Sequence, residues 1–169
     1  MSSEETQWAK YGRETPMFSW NGQCVKARVV DAHDCDTCRV VFQCAPNTFK
    51  QFIIRLDGID GPEMSSHDPQ EVGGALRARN RLLSLLNPLV FDRHKDYSKK
   101  DVLRLLKEHT TLVYLELGKP DKYGRTLARV YSDGETPGKN KSVNQVLIDE
   151  GIVHAYEGKT KQPWTWSLV

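Results

Sequence analysis

Apolar and polar residues alternate in the first of three early strand-like stretches. Between Gln23 and Val30, Val25, Ala27 and Val29 fall on one side and Lys26 and Arg28 on the other. That period of two predicts a half-buried strand. Two further strands are expected between turn signals, from Thr37 to Phe42 and from Phe49 to Leu56. Between them lie Asp31-Ala32-His33-Asp34-Cys35-Asp36 and Ala45-Pro46-Asn47, both rich in turn formers. Three short strands in a meander are expected. The period then changes. Ala75, Ala78, Leu82, Leu83 and Leu86 recur at helical spacing, predicting a helix from Ala75 to Leu86 that stops at Asn87-Pro88. Ser98-Lys99-Lys100-Asp101 resembles a capping box and opens a second helix, with Val102, Leu105 and Leu106 on one face. Thr111 to Leu117 and Thr126 to Tyr131 read as two more strands. Ser142-Val143-Asn144-Gln145 opens a third helix through Glu150, with Gly151 just past its end. Five short strands, with helices after the third and fifth, predict an α+β fold: a five-stranded OB-type β-barrel with about three packed helices.

The chain has 169 residues, which suits one domain with one core. Residues 1–20 are expected to be a partly ordered arm and 21–158 the folded domain. An insertion is expected near 87–101, and residues 159–169 form a basic and aromatic tail containing Lys159, Lys161, Trp164 and Trp166. Residues 57–74 read as a loop.

Charge narrows the function classes. Lys and Arg total 24 against 22 Asp and Glu, a net charge of +2. That is far from the basic excess of a protein living on duplex DNA, yet acidic metal ligands would offset basic phosphate contacts in a nucleic-acid enzyme. No basic n-region followed by an apolar run opens the chain, and no apolar run is long enough to span a membrane. An intracellular protein, cytoplasmic or nuclear, with reduced thiols is expected. Cys35 and Cys38 form a C-x-x-C with no second pair, so a zinc site is not expected. The five histidines share no metal-ligand spacing.

The densest chemistry lies in Ile53-Ile54-Arg55-Leu56-Asp57-Gly58-Ile59-Asp60-Gly61-Pro62-Glu63. An apolar strand ends at an arginine, and two carboxylates flank a Gly-Pro turn. A guanidinium beside two carboxylates makes sense if a metal cation and a phosphate complete the charge balance. On this stretch alone, an ordinary strand-end salt bridge explains the residues as well. Asp34 and Asp36 from the first turn, and Arg125 from Asp121-Lys122-Tyr123-Gly124-Arg125, add further charge. Carboxylate oxygens suit Ca²⁺ or Mg²⁺, and paired arginines suit the oxygens of a phosphodiester.

In order and spacing these pieces resemble the staphylococcal nuclease family. The matching residues are Asp34-Cys35-Asp36-Thr37, Arg55 through Asp60 to Glu63, Asp121 to Arg125, and Val143-Asn144-Gln145-Val146-Leu147-Ile148-Asp149-Glu150-Gly151. The resemblance covers roughly residues 23–157. It implies that Asp36, Asp60 and the Gly61 carbonyl bind calcium, and that Arg55 and Arg125 hold phosphate. Glu63 is implied as the general base, with Asp34 and Thr37 behind the metal ligands. Lys122 and Tyr123 would contact flanking phosphates, and Tyr156 would stack on a base. Two positions depart from the family pattern. Glycine is usual where Cys35 stands, so Cys35 must tolerate a turn that glycine usually fills. Threonine is usual where Gly61 stands. Segment 87–101 and the ending Tyr156-Glu157-Gly158-Lys159-Thr160-Lys161 resemble family members of large DNA viruses or protists.

The function implied is a monomeric Ca²⁺-dependent phosphodiesterase. It would act on single-stranded or locally melted DNA and RNA with little sequence preference, leave 3′-phosphate ends, and need no small-molecule cofactor or membrane. The alternative is a non-catalytic OB-type module that binds single strands.

Overall fold

The alternating stretches close on themselves. The structure is a computed structural model that describes residues 1–165; Trp166 of the tail lies outside them. In chain order the elements are α1 (Ser3–Trp8), β1 (Cys24–Asp34), β2 (Thr37–Ala45), β3 (Thr48–Leu56), β4 (Ile59–Asp60), α2 (Pro69–Leu86), α3 (Lys99–Glu108), β5 (Thr111–Pro120), β6 (Thr126–Ser132), α4 (Val143–Asp149) and β7 (His154–Ala155). Five strands form a closed barrel in the order β1-β2-β3-β6-β5, and β4 and β7 form a separate two-stranded ribbon. Every barrel pairing is antiparallel except β3 with β6, which is parallel. This is the expected α+β OB-type barrel.

Alternation supplies the interior. Ala27, Val29, Val40, Phe42, Ile54, Leu56, Val113, Leu115, Leu117, Ala128 and Val130 are all buried. Each large apolar side chain taken out of water contributes about 1.5–3 kcal/mol. Ala78, Leu82, Leu83 and Leu86 of α2 and Leu147 of α4 join the same core.

The β4–β7 ribbon is not among the expected elements, since β4 lies within 57–74, which reads as a loop, and β5 runs on to Pro120. Three further elements differ from expectation, each for a local reason. Strand β1 runs on to Asp34, so only Cys35 and Asp36 form the turn. Irregularities in the β1–β2 register at Val29/Asp31 and Asp31/Asp34 absorb the polar residues that read as a turn. Helix α2 begins at Pro69, not Ala75. Asp68 caps it by accepting from the Gln70 N–H, and its polar first turn shows no apolar period. The arm contains α1, opened by a capping box in which Ser2 and Glu5 exchange hydrogen bonds. Further along the arm, the Trp20 ring packs edge-on against Phe42 at 5.3 Å and Phe52 at 5.7 Å.

Segment 87–101 is tied to the barrel's helices. Phe91 is buried with Tyr97 edge-on to it. The buried Arg79 and Asn80 of α2 donate to the Tyr97 and Lys95 carbonyls. Among the described residues no helix is long and apolar enough to cross a membrane.

Candidate active site

Strand register assembles the charged residues. Thr37 faces Arg55 across β2–β3, and Arg55 faces Leu127 across the parallel β3–β6 pair. Directly paired residues point to the same side of a sheet, so this row lies opposite the buried Cys38, Ile54 and Ala128. Arg125 precedes Leu127 by two positions and so falls on the same side. A parallel β3–β6 pair thus brings two arginines, far apart in sequence, onto one outer face of the barrel. Beyond Leu56 the chain turns at Gly58, whose φ of 76° favours glycine, and enters β4. Asp60 then pairs with His154, and the Tyr156 N–H donates to the Gly58 carbonyl at 2.8 Å. Asn144 locks the corner. Its buried side chain donates to the Asp57 and Ala128 carbonyls at 2.8 and 3.0 Å and accepts from the Val130 N–H at 3.0 Å.

The result is a cleft of about 510 Å³. Asp34, Asp36, Thr37, Arg55 and Glu63 line one part of it. Lys122, Tyr123, Arg125 and Tyr156 line the other, together with Lys161. Arg55 is largely buried. Its Nη1 donates to the Leu56 carbonyl at 3.1 Å and its Nη2 to the Ile59 carbonyl at 2.9 Å, and Nη2 lies 3.4 Å from Asp36 Oδ2. A guanidinium carries five N–H donors, so two carbonyls fix its plane and leave donors for an anion. Asp36 accepts from the Thr37 hydroxyl at 2.9 Å. Burial pushes the Asp34 carboxyl above its ordinary range; His33 opposes this, and the negative charges of Asp36 and Glu63 add to it.

Arg125 is built differently. Asp121 accepts from its Nε at 2.7 Å and from its backbone N–H at 2.8 Å. Among the described residues nothing engages Nη1 or Nη2 in a hydrogen bond, which leaves the end of the fork for a ligand. Burial acts to raise the Asp121 carboxyl, but hydrogen bonds from Arg125 and Tyr123 outweigh it and hold the group below the usual range. The Tyr123 ring is 72% exposed and lies under both Arg125 and Lys122, 5.4 and 5.2 Å from their cationic groups. Glu63 is exposed, and its loop is held from behind by Glu71. That carboxylate accepts from the Glu63 N–H at 3.1 Å and the Ser66 hydroxyl at 2.6 Å. The Ser66 bond, first, holds Glu71 below its ordinary range.

Asp60 and Gly61 lie between the lining residues Ile59 and Pro62 but do not themselves line the cleft. Asp60 is only 3% exposed, and its Oδ1 is buried without a well-aligned hydrogen bond. A buried anionic oxygen left so is costly unless a cation completes it. Gly61 has an ordinary φ, so it is not there for backbone freedom. A Cβ at Gly61 would lie 1.9 Å from Cys35 Sγ and 3.7 Å from Asp36 Oδ2. This corrects the expectation about Cys35. Its backbone is not left-handed, so no strain is stored there. Its buried thiol instead fills the space a side chain at Gly61 would need, so the two departures from the family pattern compensate each other. Burial pushes the Cys35 thiol well up, and that of Cys38 up to about 12. All four cysteines are free thiols.

Among the described residues no three His, Cys, Asp or Glu side chains converge as a metal cluster. The donor set still fits a calcium ion. Asp60 presents a buried oxygen with no well-aligned hydrogen bond and the Lys161 ammonium 3.2 Å away, Asp36 Oδ2 lies near Gly61, and carbonyls, water and phosphate can supply the remaining hard oxygens.

A family model described as staphylococcal nuclease homologue matches residues 53–165. The chain belongs to the staphylococcal nuclease family. A comparison with curated proteins finds no match. The match spans the end of β3, strands β5 and β6 and helices α2 to α4, and takes in Arg55, Asp60, Glu63 and Arg125. Membership supports a nuclease or a nucleic-acid-binding OB module.

Sequence reasoning missed several residues of this staphylococcal nuclease-like cleft. Asp121 and Asn144 stood within the motifs without a role. Glu71 carried no signal, because its partners Glu63 and Ser66 come from the preceding loop. Lys161 read only as tail charge, yet its Nζ lies 3.2 Å from Asp60 Oδ1 and 3.0 Å from Glu63 Oε1.

Proposed function

We propose that the protein is a calcium-dependent nuclease that hydrolyses phosphodiester bonds of single-stranded or locally melted DNA and RNA. The observation that carries this reading is the cleft itself: Arg55, Arg125 and Glu63 line one surface, and Lys161 of the same lining reaches the buried Asp60 oxygen. Asp36, Asp60 and the Gly61 carbonyl would hold the metal, which when bound would polarise the phosphate and the attacking water. Arg125 grips non-bridging oxygens through its free terminal nitrogens, and Arg55, fixed by two carbonyls, presents donors to the charge that builds on phosphorus. Glu63 stands at the cleft edge as the acceptor of the water proton. Thr37 holds Asp36 through its hydroxyl, and Asp34 would stand behind the metal ligands. Tyr123 and Lys122 would contact flanking phosphates, and Tyr156 a base. Contacts of this kind read no sequence, so preference among sequences would be weak.

The test is incubation of single-stranded DNA and RNA with the parent and an Asp36→Asn/Asp60→Asn double variant, with calcium or chelator. Cleavage should need calcium and vanish in the double variant, while salt-sensitive binding through Arg55 and Arg125 survives. Tight binding without cleavage at every calcium concentration and pH would establish the non-catalytic module instead.

A further inference from the structure

A cation of the chain's own already stands at the acidic end of the cleft. Lys161 Nζ lies 3.2 Å from Asp60 Oδ1 and 3.0 Å from Glu63 Oε1. The tail is tied down on both sides of it. Before it, the Tyr156 hydroxyl donates to the Lys159 carbonyl at 2.9 Å. After it, the Trp164 ring stacks on His154, with centroids 3.8 Å apart and planes 12° apart. His154 is itself the strand partner of Asp60. The chain therefore crosses from the floor of the site, over its acidic rim, and back to the floor, with one ammonium delivered between two carboxylates.

We propose that Lys161 is a tethered competitor for the divalent cation, and that the tail over residues 157–165 is a strap the metal must displace. This rests on the calcium reading given above. A hard cation binds carboxylate oxygens at 2.3–2.6 Å. The oxygen of Asp60 that best suits it is the one Lys161 faces. Two positive charges cannot share that oxygen at contact distance without strong repulsion. Occupancy by one weakens the other, and linkage makes the effect reciprocal: calcium must loosen the strap by the factor by which the strap weakens calcium. Displacement also frees Glu63 from its ion pair, so the metal and the proton acceptor become available together. Arg55 also places positive charge beside a proposed ligand, Asp36, but two carbonyls hold it in place, so it is a fixed charge and not one the metal can displace.

The experiment is calorimetric titration of the full chain with calcium alone, without substrate. Parent, Lys161→Met, Lys159→Met and Trp164→Ala are compared. Replacing Lys161 should tighten calcium binding about three- to thirtyfold, the worth of one or two partly exposed ion pairs. Lys159→Met removes the same charge from the same tail at a lysine that pairs with no carboxylate among the described residues, and should stay within about twofold. Trp164→Ala, which unpins the strap, should fall between them. In the parent, calcium should also speed trypsin cleavage after Lys161. Equal calcium affinity in Lys161→Met and Lys159→Met, or cleavage indifferent to calcium, overturns the strap and leaves the nuclease reading standing. No calcium binding by any of the four proteins overturns both.

Discussion

Replacing Gly61 with alanine tests the packing that joins the two unusual positions of the site. An added Cβ meets Cys35 Sγ at 1.9 Å, well inside van der Waals contact. Cys35 is 1% exposed, so its thiol has little room to turn away. Overpacking of this kind costs about 1–3 kcal/mol. Cys35→Ala alone removes one buried atom, at about 1 kcal/mol. In the double variant the offending sulfur is gone, and the next atoms facing the new Cβ, Asp36 Oδ2 and Cys35 Cβ, both lie at an ordinary 3.7 Å. Cys35→Ala/Gly61→Ala should therefore be at least as stable as Gly61→Ala alone. The coupling energy should be about 1–3 kcal/mol, in the range found for residues in contact. Guanidinium unfolding reads this as a midpoint lowered by roughly 0.3–0.8 M in Gly61→Ala and lowered no further, or partly recovered, in the double variant. Additive losses within about 0.5 kcal/mol would refute the reasoning. Cys35→Gly/Gly61→Thr, which restores the family pairing, should fold for the same reason.

Arg125→Lys keeps the charge but loses the fork, and its rate on single-stranded DNA should fall by about 10²–10³; a loss under about threefold would show that the fork does not grip phosphate. Glu63→Gln should lower the rate by roughly 10²–10⁴ with little change in calcium affinity, as titrated separately. Asn144→Ala leaves the Asp57 carbonyl and the Val130 N–H short of a partner and should cost about 2–4 kcal/mol in denaturant unfolding. Asp121 has a folded-state pKa below the ordinary value, so its contribution is present above about pH 4 and lost as pH falls through the folded pKa. The stability gap between parent and Asp121→Asn, measured at pH 7 and again near pH 3, should therefore narrow in acid.

Much of this architecture is local and so was legible in the chain. Alternation marked β1 and the start of β5, turn formers bounded the other barrel strands, and helical spacing in Ala75 to Leu86 marked the face of α2 that is buried. Both patterns express which side of an element must leave water, a choice each element makes from its own residues. Capping boxes and glycines set helix ends for the same reason, and the Ser2/Glu5 box of α1 was there to be read. The residue types of the cleft were also visible, because carboxylates, arginines and a Gly-Pro turn gathered in a few short motifs. What no local pattern contains is register. The parallel pairing of β3 with β6 sets Arg125 beside Arg55, and it depends on how the whole barrel closes. Asn144 gains its three bonds only where α4 meets that seam. Cys35 and Gly61 each looked anomalous alone; one sulfur in the space of a missing Cβ reconciles them. Lys161 reaches Glu63 and Asp60 from the far end of the chain. Contacts between residues distant in sequence depend on packing the complete chain, so burial, pairing and ion contacts at the site belong to the tertiary structure alone.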